Sequence, residues 1–437
     1  MNICEAFAKK LDVSAKVYAK EHGNAEIPQI NKVAIARVLA NTSEYLNEAF
    51  DNSVGTQLGD MKKFKKFCLD LTTVALPNLI ANDLVIVYPM KSRTGYIQYL
   101  QFTANSNKGG VSIGDVWNDP FKLGEMNDNR VAYTSAFIPE VLKVTEGKVT
   151  FTWGPARDAR IIDAESGESI TVDEGGKTAT VVTSKTEIKV GYIYDNVSIP
   201  QNDIPTFGAH MEGISLHAKA RRIRIYFSQM AAFQAKTEMG IDLGEVLATQ
   251  ACAELSYEID TEVVKLLDFA AGEAVEATTF NKALPIGVSK RDHYAGFAEV
   301  IESASQIIYD RTQKHNANYM VCASDIKPVL SLMRGWKAAN TGKINGPYFA
   351  GTINGIKVFV SPKMEAGTFF LGFNGDDLAT SAAIYAPYMA VVPTQLLGFA
   401  DGGMSQGFST LYDLKLLNAC LLVAGKVVDE DREVTLS

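Results

Sequence analysis

Few residues in this chain have the types and spacing that chemistry needs. Gly403-Met404-Ser405-Gln406-Gly407 has the G-x-S-x-G spacing that, in a hydrolase, lifts a serine nucleophile onto a sharp turn between strand and helix. Residues 408–422 read instead as a further strand with no helix start, so Ser405 is expected to be a turn serine. Gly176-Lys177-Thr178 would end a phosphate-binding loop if a glycine stood five positions earlier, but Thr171 stands there and the segment reads as a hairpin. Glu258, Asp260 and Glu262 offer carboxylates to a cation, yet alternate residues on a helix point to different faces, and a solvated face is the expectation. His210 and His217 are two helical turns apart and could share a face, but no further ligand is placed to complete a metal site. The densest basic run is Lys219, Arg221, Arg222 and Arg224, with Lys62, Lys63, Lys65 and Lys66 earlier. Such patches suit a nucleic acid, a subunit contact or an acidic scaffold surface alike. No catalytic residue, metal ligand or cofactor is expected from these spacings.

The elements that would position these residues fall into distinct zones. Residues 5–19, 32–50 and 61–75 read as amphipathic helices short of partners among themselves, which suggests an arm packed on something else. From residue 84 the period changes to β-branched and aromatic runs, 84–88 and 96–102, followed by a Gly-, Asn- and Asp-rich stretch over 105–125 with the chemistry of a projecting loop. Residues 147–195 alternate strictly between turns such as Glu174-Gly175-Gly176-Lys177 and predict a small antiparallel β module, inserted in the chain. After a strand at 220–227 comes the longest helical signal, 241–268, roughly 42 Å long at 1.5 Å per residue and a candidate spine. The last third alternates helices at 292–314 and 325–333 with strands at 319–322, 356–360 and 368–372, then an extended run over 411–428, giving an α+β or mixed α/β character.

Composition sets the frame. The chain has 437 residues, 42 basic against 50 acidic, net charge −8 and 47% hydrophobic, enough for two or three cored domains. That balance excludes a dedicated nucleic-acid groove, because phosphate affinity comes from concentrated Lys and Arg; any DNA nearby is contained rather than gripped. The five cysteines stand singly, without metal or disulfide spacing, which fits a reducing compartment. Glu5 falls where a signal peptide would begin its apolar run, so the chain reads as cytoplasmic. Residues 378–400 are uncharged and long enough to span a bilayer, but Pro387, Pro393, Thr380, Ser381, Thr394 and Gln395 predict strands with turns instead.

Pro77-Asn78-Leu79-Ile80-Ala81-Asn82-Asp83, followed by Pro89-Met90-Lys91-Ser92-Arg93-Thr94-Gly95, resembles a signature of the major capsid proteins of T-even-like, myovirus-type tailed bacteriophages. Similar stretches follow in family order: residues 247–249 and 258–264, Asn318-Tyr319-Met320-Val321-Cys322-Ala323-Ser324, Phe349-Ala350-Gly351-Thr352-Ile353-Asn354-Gly355, and Ile384-Tyr385-Ala386-Pro387-Tyr388. Together they cover about residues 61–425. Asn82 stands where the family has an aromatic, Arg93 where it has proline, and residues 100–210 match poorly, so the loop and the β module are expected to have their own geometry.

The resemblance implies an α+β, Hong Kong 97-type capsid fold. It divides the chain into a helical N-terminal arm (1–83), a strand and extended loop (84–140), an antiparallel β insertion (141–200), a peripheral domain with the spine helix (201–280 plus 385–437) and an axial domain (281–384). It implies no enzymatic activity, but self-assembly as hexamers and pentamers into a phage head shell around double-stranded DNA, which is enclosed without sequence-specific binding and without a membrane. Scaffold, portal, prohead protease and decoration proteins are the implied partners, with assembly in the host bacterial cytoplasm and residence in the virion. A pentameric vertex protein and an encapsulin-type compartment shell share the fold and stand as alternatives; the enzyme alternative rests on Ser405. Relatives are trimmed after a glutamate two residues beyond an aliphatic one, and Leu46-Asn47-Glu48 has that form, which makes Glu48 the candidate maturation cleavage site.

Overall fold

A computed structural model describes residues 3–21, 26–51, 58–107, 111–118, 137–153, 155–194, 206–241, 243–273, 278–285, 287–339, 346–394, 397–399 and 402–429. The chain divides into two units, 1–97 with 214–437, and 98–213. Strands Thr94–Ala104 and Phe207–His217 carry the backbone across the boundary.

The larger unit holds a mixed seven-stranded sheet in the order Thr278–Asn281, Leu422–Val428, Thr368–Gly372, Tyr319–Ala323, Ile356–Ser361, Tyr348–Ile353, Lys337–Ala338. Its centre, Tyr319–Ala323, runs parallel to Ile356–Ser361 and antiparallel to Thr368–Gly372, and all five of its residues are buried. A strand covered on both faces reads as a continuous apolar run, which is why Tyr-Met-Val-Cys-Ala shows no polar alternation. Period-two geometry divides that run between two cores. Tyr319 and Val321 join Phe359, Phe370 and the second half of the spine helix, whereas Met320 and Cys322 join Phe297, Ile301, Ala304 and Ile308 on the helix Phe297–Thr312. That helix buries one stripe at three- and four-residue steps and stops where Gln313 turns into the left-handed region at φ 54°.

A second sheet has the order Ile86–Val87, Ala383–Pro393, Gly403–Leu416, Lys219–Ser228, with Leu397–Gly398 paired beside Gly403–Leu416. The uncharged stretch expected as strands with turns is mainly one eleven-residue strand, buried at all but one position. Its lack of charge reflects coverage on both faces, and Pro387 is accommodated where the register shifts. The spine helix, Leu243–Glu273, has 31 residues, roughly 46 Å. Ala248, Ala251, Cys252 and Leu255 pack on Phe408, Val391, Ile223 and Ile225 of the second sheet, while Ile259, Val263, Val264 and Leu267 pack toward the first. One helix therefore ties two sheets together by burying apolar residues along its whole length.

The helices Ala8–Glu21, Gln29–Asp51 and Leu58–Ala75, expected to be short of partners among themselves, pack on one another as well as on distant parts of the chain: Tyr18, Ile35, Val38, Leu39 and Leu69 share one core with the spine. Asn41 fixes the longest of them by donating from Nδ2 to the carbonyls of Met90 at 2.8 Å and Tyr388 at 2.9 Å.

The smaller unit contains the β module predicted over 147–195. Two three-stranded antiparallel sheets, Phe137–Lys143/Glu187–Tyr194/Ala156–Ile161 and Lys148–Thr150/Thr178–Val182/Ser169–Val172, enclose Ile138, Val149, Phe151, Ala179, Val181, Val190 and Tyr192. Residues 108–110 and 119–136, in and beside the expected projecting loop, lie outside the described residues.

Candidate assembly surface

The three carboxylates on the spine helix have three different fates. Glu258 is exposed, as expected for a solvated face, but Asp260 is only 6% exposed. Its Oδ1 accepts the Ala81 N–H at 3.1 Å, and the Ile80 N–H supports it as well. Burial pushes its carboxyl up to about 7, with the two amides pulling the other way. The expectation of a solvated trio fails here because residues 80–84, where the arm ends, fold onto the spine, and that contact is not local in sequence. Glu262 is half-buried: it pairs with the Arg221 guanidinium at 2.6 Å and accepts the Tyr412 hydroxyl, while Arg221 lies 4.8 Å over the Tyr412 ring. The spine is thus joined to residues 80–81 by one buried carboxylate and to the second sheet by one partly solvated ion pair.

Further polar contacts fasten the arm. Asp83, nearly buried, pairs with Lys357 at 2.9 Å and accepts the Tyr18 hydroxyl at 3.3 Å. Ser14 donates to the Thr73 carbonyl at 3.0 Å, and Lys10 pairs with Asp70 at 2.6 Å.

The remaining candidates are dispersed. Ser405 lies inside the strand Gly403–Leu416, 4% exposed and in register with Tyr226 and Leu397, so it is a strand residue and not the turn serine expected. The first glycine of its motif serves strand packing: a Cβ on Gly403 would meet the Tyr226 ring at 2.6 Å. His210 and His217 lie on the strand Phe207–His217, not on a helix, and an odd separation sends them to opposite faces. Gly176-Lys177-Thr178 does form a hairpin turn; Gly176 adopts φ +62°, and a Cβ there would sit 2.8 Å from the Ala156 carbonyl oxygen. Strand alternation splits the basic run, turning Arg221 toward Glu262 of the spine and sending Arg222 and Arg224 to the other face, exposed, while Lys219 is exposed at the start of the strand. Lys66 is exposed, and the side chains of Lys62, Lys63 and Lys65 lie outside the described residues. Glu48 is exposed on the helix Gln29–Asp51, while Leu46 is buried. Among the described residues no three His, Cys, Asp or Glu side chains are grouped to hold a metal, and no helix is long and apolar enough to cross a membrane.

Sequence reading missed an apolar surface. Met230, Phe233 and Met239 are 68%, 66% and 72% exposed on the short helical segments Gln229–Gln234 and Ala235–Met239. Ser228 starts that stretch by accepting the Ala231 N–H, and Gly240 ends it at φ +66°. Tyr226, on the strand Lys219–Ser228, and Phe399, just after the strand Leu397–Gly398, are both exposed, with ring centroids 6.5 Å apart. Large apolar side chains concentrated in this way mark a surface that another protein covers. The signal was available in Met230-Ala231-Ala232-Phe233, an apolar run too short to read as a buried helix.

Comparison with known proteins supplies the family. Its sequence profile, described as major capsid protein Gp23, matches residues 61–432. The major capsid protein of Enterobacteria phage T4 is 22% identical over 410 residues, covering 83% of this chain and 77% of that protein; the major capsid protein of Escherichia phage AR1 is 21% identical over 411 residues, with the same coverage. Among solved structures, the capsid of Myoviridae phage XM1 aligns with a TM-score of 0.36 at 8% identity, over 70% of this chain and 90% of that one. The profile spans the arm's last helix, the spine, both sheets and the β module, and the chain belongs to the Gp23 major capsid protein family.

Proposed function

We propose that copies of this chain assemble as hexamers and pentamers into a phage head shell of the Hong Kong 97 type, enclosing double-stranded DNA without reading its sequence. One observation carries the reading: the Gp23 profile matches residues 61–432, and that family is structural rather than enzymatic. The exposed apolar surface at Tyr226, Met230, Phe233 and Met239 supports it, since a shell subunit needs faces that only its neighbours cover. Many modest contacts of this sort sum across a lattice.

In this reading residues 1–83 form the arm, 84–140 the strand and extended loop, 141–200 the insertion, 201–280 plus 385–437 the peripheral domain and 281–384 the axial domain. Scaffold, portal and prohead protease act during assembly in the host bacterial cytoplasm, and decoration proteins bind the finished head. Trimming after Glu48 belongs to the same reading. Because Leu46 is buried within a helix, that helix must open before a protease can take the segment in extended form.

Negative-stain electron microscopy and sedimentation of the expressed chain, alone and with a scaffold, test the proposal. Shells, tubes or hexameric capsomers are expected; a compact monomer under every condition overturns it. Intact mass from mature particles tests the cleavage, which fails if the chain starts at Met1.

A further inference from the structure

The second sheet ends in a strand with an open edge. Lys219–Ser228 pairs with Gly403–Leu416 along its whole length, and among the described residues no strand pairs with its other side. Ile223 and Ile225 face the spine and are only half-buried, although they pack on its core, while Arg222 and Arg224 stand exposed on the opposite face. Ser409 and Gly407 lie opposite the two arginines, and neither guanidinium pairs with a carboxylate among the described residues. A long unpaired edge invites association with other strands, and charge on the strand commonly suppresses it. Two arginines at alternate positions repel a second copy of the same edge but admit an acidic strand, so the charge selects a partner as well as excluding one.

The chain carries a segment with the matching pattern. Asp429-Glu430-Asp431-Arg432-Glu433 has four carboxylates in five residues, a density reached nowhere else in the sequence, and Val434-Thr435-Leu436 follows. Residues 430–437 lie outside the described residues. Asp431 and Glu433 have the two-residue spacing of Arg222 and Arg224. Laid parallel with Asp431 beside Arg222, the segment also brings Glu433 beside Arg224, Val434 beside Ile225 and Leu436 beside Phe227. Laid antiparallel with the same carboxylates on the arginines, it sets Val434 beside Arg221 and Leu436 beside Lys219, so only the parallel order matches charge and apolar residues together. The Val428 carbonyl accepts the Lys282 N–H at 2.7 Å, which fixes the start of the segment at the seven-stranded sheet. Three residues onward reach about 10 Å, a short span in which to cross to the open edge of the other sheet within one copy.

We propose that the open edge of Lys219–Ser228 receives the acidic segment 429–436 of a second copy as an added parallel strand, with Asp431 on Arg222 and Glu433 on Arg224. The choice of a second copy rests on the assembly reading above; the pairing chemistry does not.

The test titrates a fluorescein-labelled peptide of residues 427–437 with the dilute, unassembled full-length chain and follows anisotropy. Saturable binding is expected. Arg222→Glu with Arg224→Glu, both at exposed positions, should weaken it about tenfold, and Asp431→Lys with Glu433→Lys in the peptide should restore affinity for that variant. That rescue also shows that the variant has kept its fold. No saturable binding to wild type, equal binding of a scrambled peptide of the same composition, or charge reversal without rescue each overturns the proposal; the scrambled result leaves a general surface for acidic partners. A full-length chain with Asp431→Asn and Glu433→Gln separates the two origins of the strand. Peptide affinity equal to wild type supports donation by a second copy, whereas tighter binding shows that a chain's own segment holds its own edge and overturns that choice. Particle formation is scored separately by sedimentation: peptide binding without particles sinks the assembly reading alone, and particles without peptide binding sink this site alone.

Discussion

The strand Tyr319–Ala323 and the strand Thr178–Val182 are both central and both five residues long, yet they are stabilised differently. The first is buried at every position and divides its side chains between two cores. The second alternates, with Ala179 and Val181 inward and Thr180 and Val182 outward. Polar pairs close in sequence finish the module: Thr178 donates to Asp173 at 2.6 Å, Thr183 to Glu168 at 2.6 Å, and Lys185 pairs with Glu165 at 3.0 Å. The body depends on apolar contacts between segments far apart in the chain, the module on a small core and local pairs. The body should therefore fail as a whole when its spine is damaged, whereas the module should fail alone.

The largest effect is expected at the spine. Leu255→Asp places a lone charge against Phe408 and Val391, costs several kcal/mol and should abolish soluble, assembly-competent protein; wild-type particle yield would refute the assignment of that helix face. Next comes the module: Phe151→Ala should cost about 3–4 kcal/mol locally, seen as hydrogen exchange across 137–194 while amides of 319–323 stay protected. Loss of protection in both segments would erase the contrast.

Asp260→Asn sharpens it through pH. The carboxyl is raised in the fold to about 7 from an ordinary value near 4, so the native state prefers the proton. Its contribution is full below about pH 4 and is lost as pH rises toward 7. Wild type should weaken over that window by an amount on the order of 1–3 kcal/mol, and the asparagine variant should show a flatter profile, read from urea midpoints. Gly176→Ala forces φ +62° on a residue with a Cβ that meets the Ala156 carbonyl, so about 1–2 kcal/mol should be lost from the module alone. The smallest effect belongs to Arg221→Met, below about 1 kcal/mol in melting experiments, because its pair with Glu262 is partly solvated and the methionine keeps most of the packing on Tyr412.

What was legible in the sequence follows the same division. The module was readable because turn residues and alternation are local signals; Glu146 and Gly147, both at positive φ, close its first hairpin as such a pair should. The spine was readable from three- and four-residue spacing, and its end at Glu273 rather than 268 reflects Ala270 and Ala271, small residues buried in a contact that periodicity underweights. The burial of Asp260 was not readable, since its partners lie 179 residues earlier. Prolines in 383–393 suggested turns, but one sits at a register shift and the other ends the strand. The extended run over 411–428 is two strands, broken at the short turn Ala419–Leu421 where Asn418 accepts the Cys420 N–H.

The arm's attachment also sets a schedule. Asn41 donates to the carbonyl of a residue 347 positions later, and the helix that carries it covers its apolar stripe with the strand Ala383–Pro393. At about 5–20 residues per second of synthesis, the helix waits roughly 17–70 s for that strand to leave the ribosome. Throughout that interval Ile35, Val38 and Leu39 have near neighbours such as Tyr18 and Leu69 but lack the spine and strand residues that complete their core, so the first part of the chain to be made is among the last to be finished.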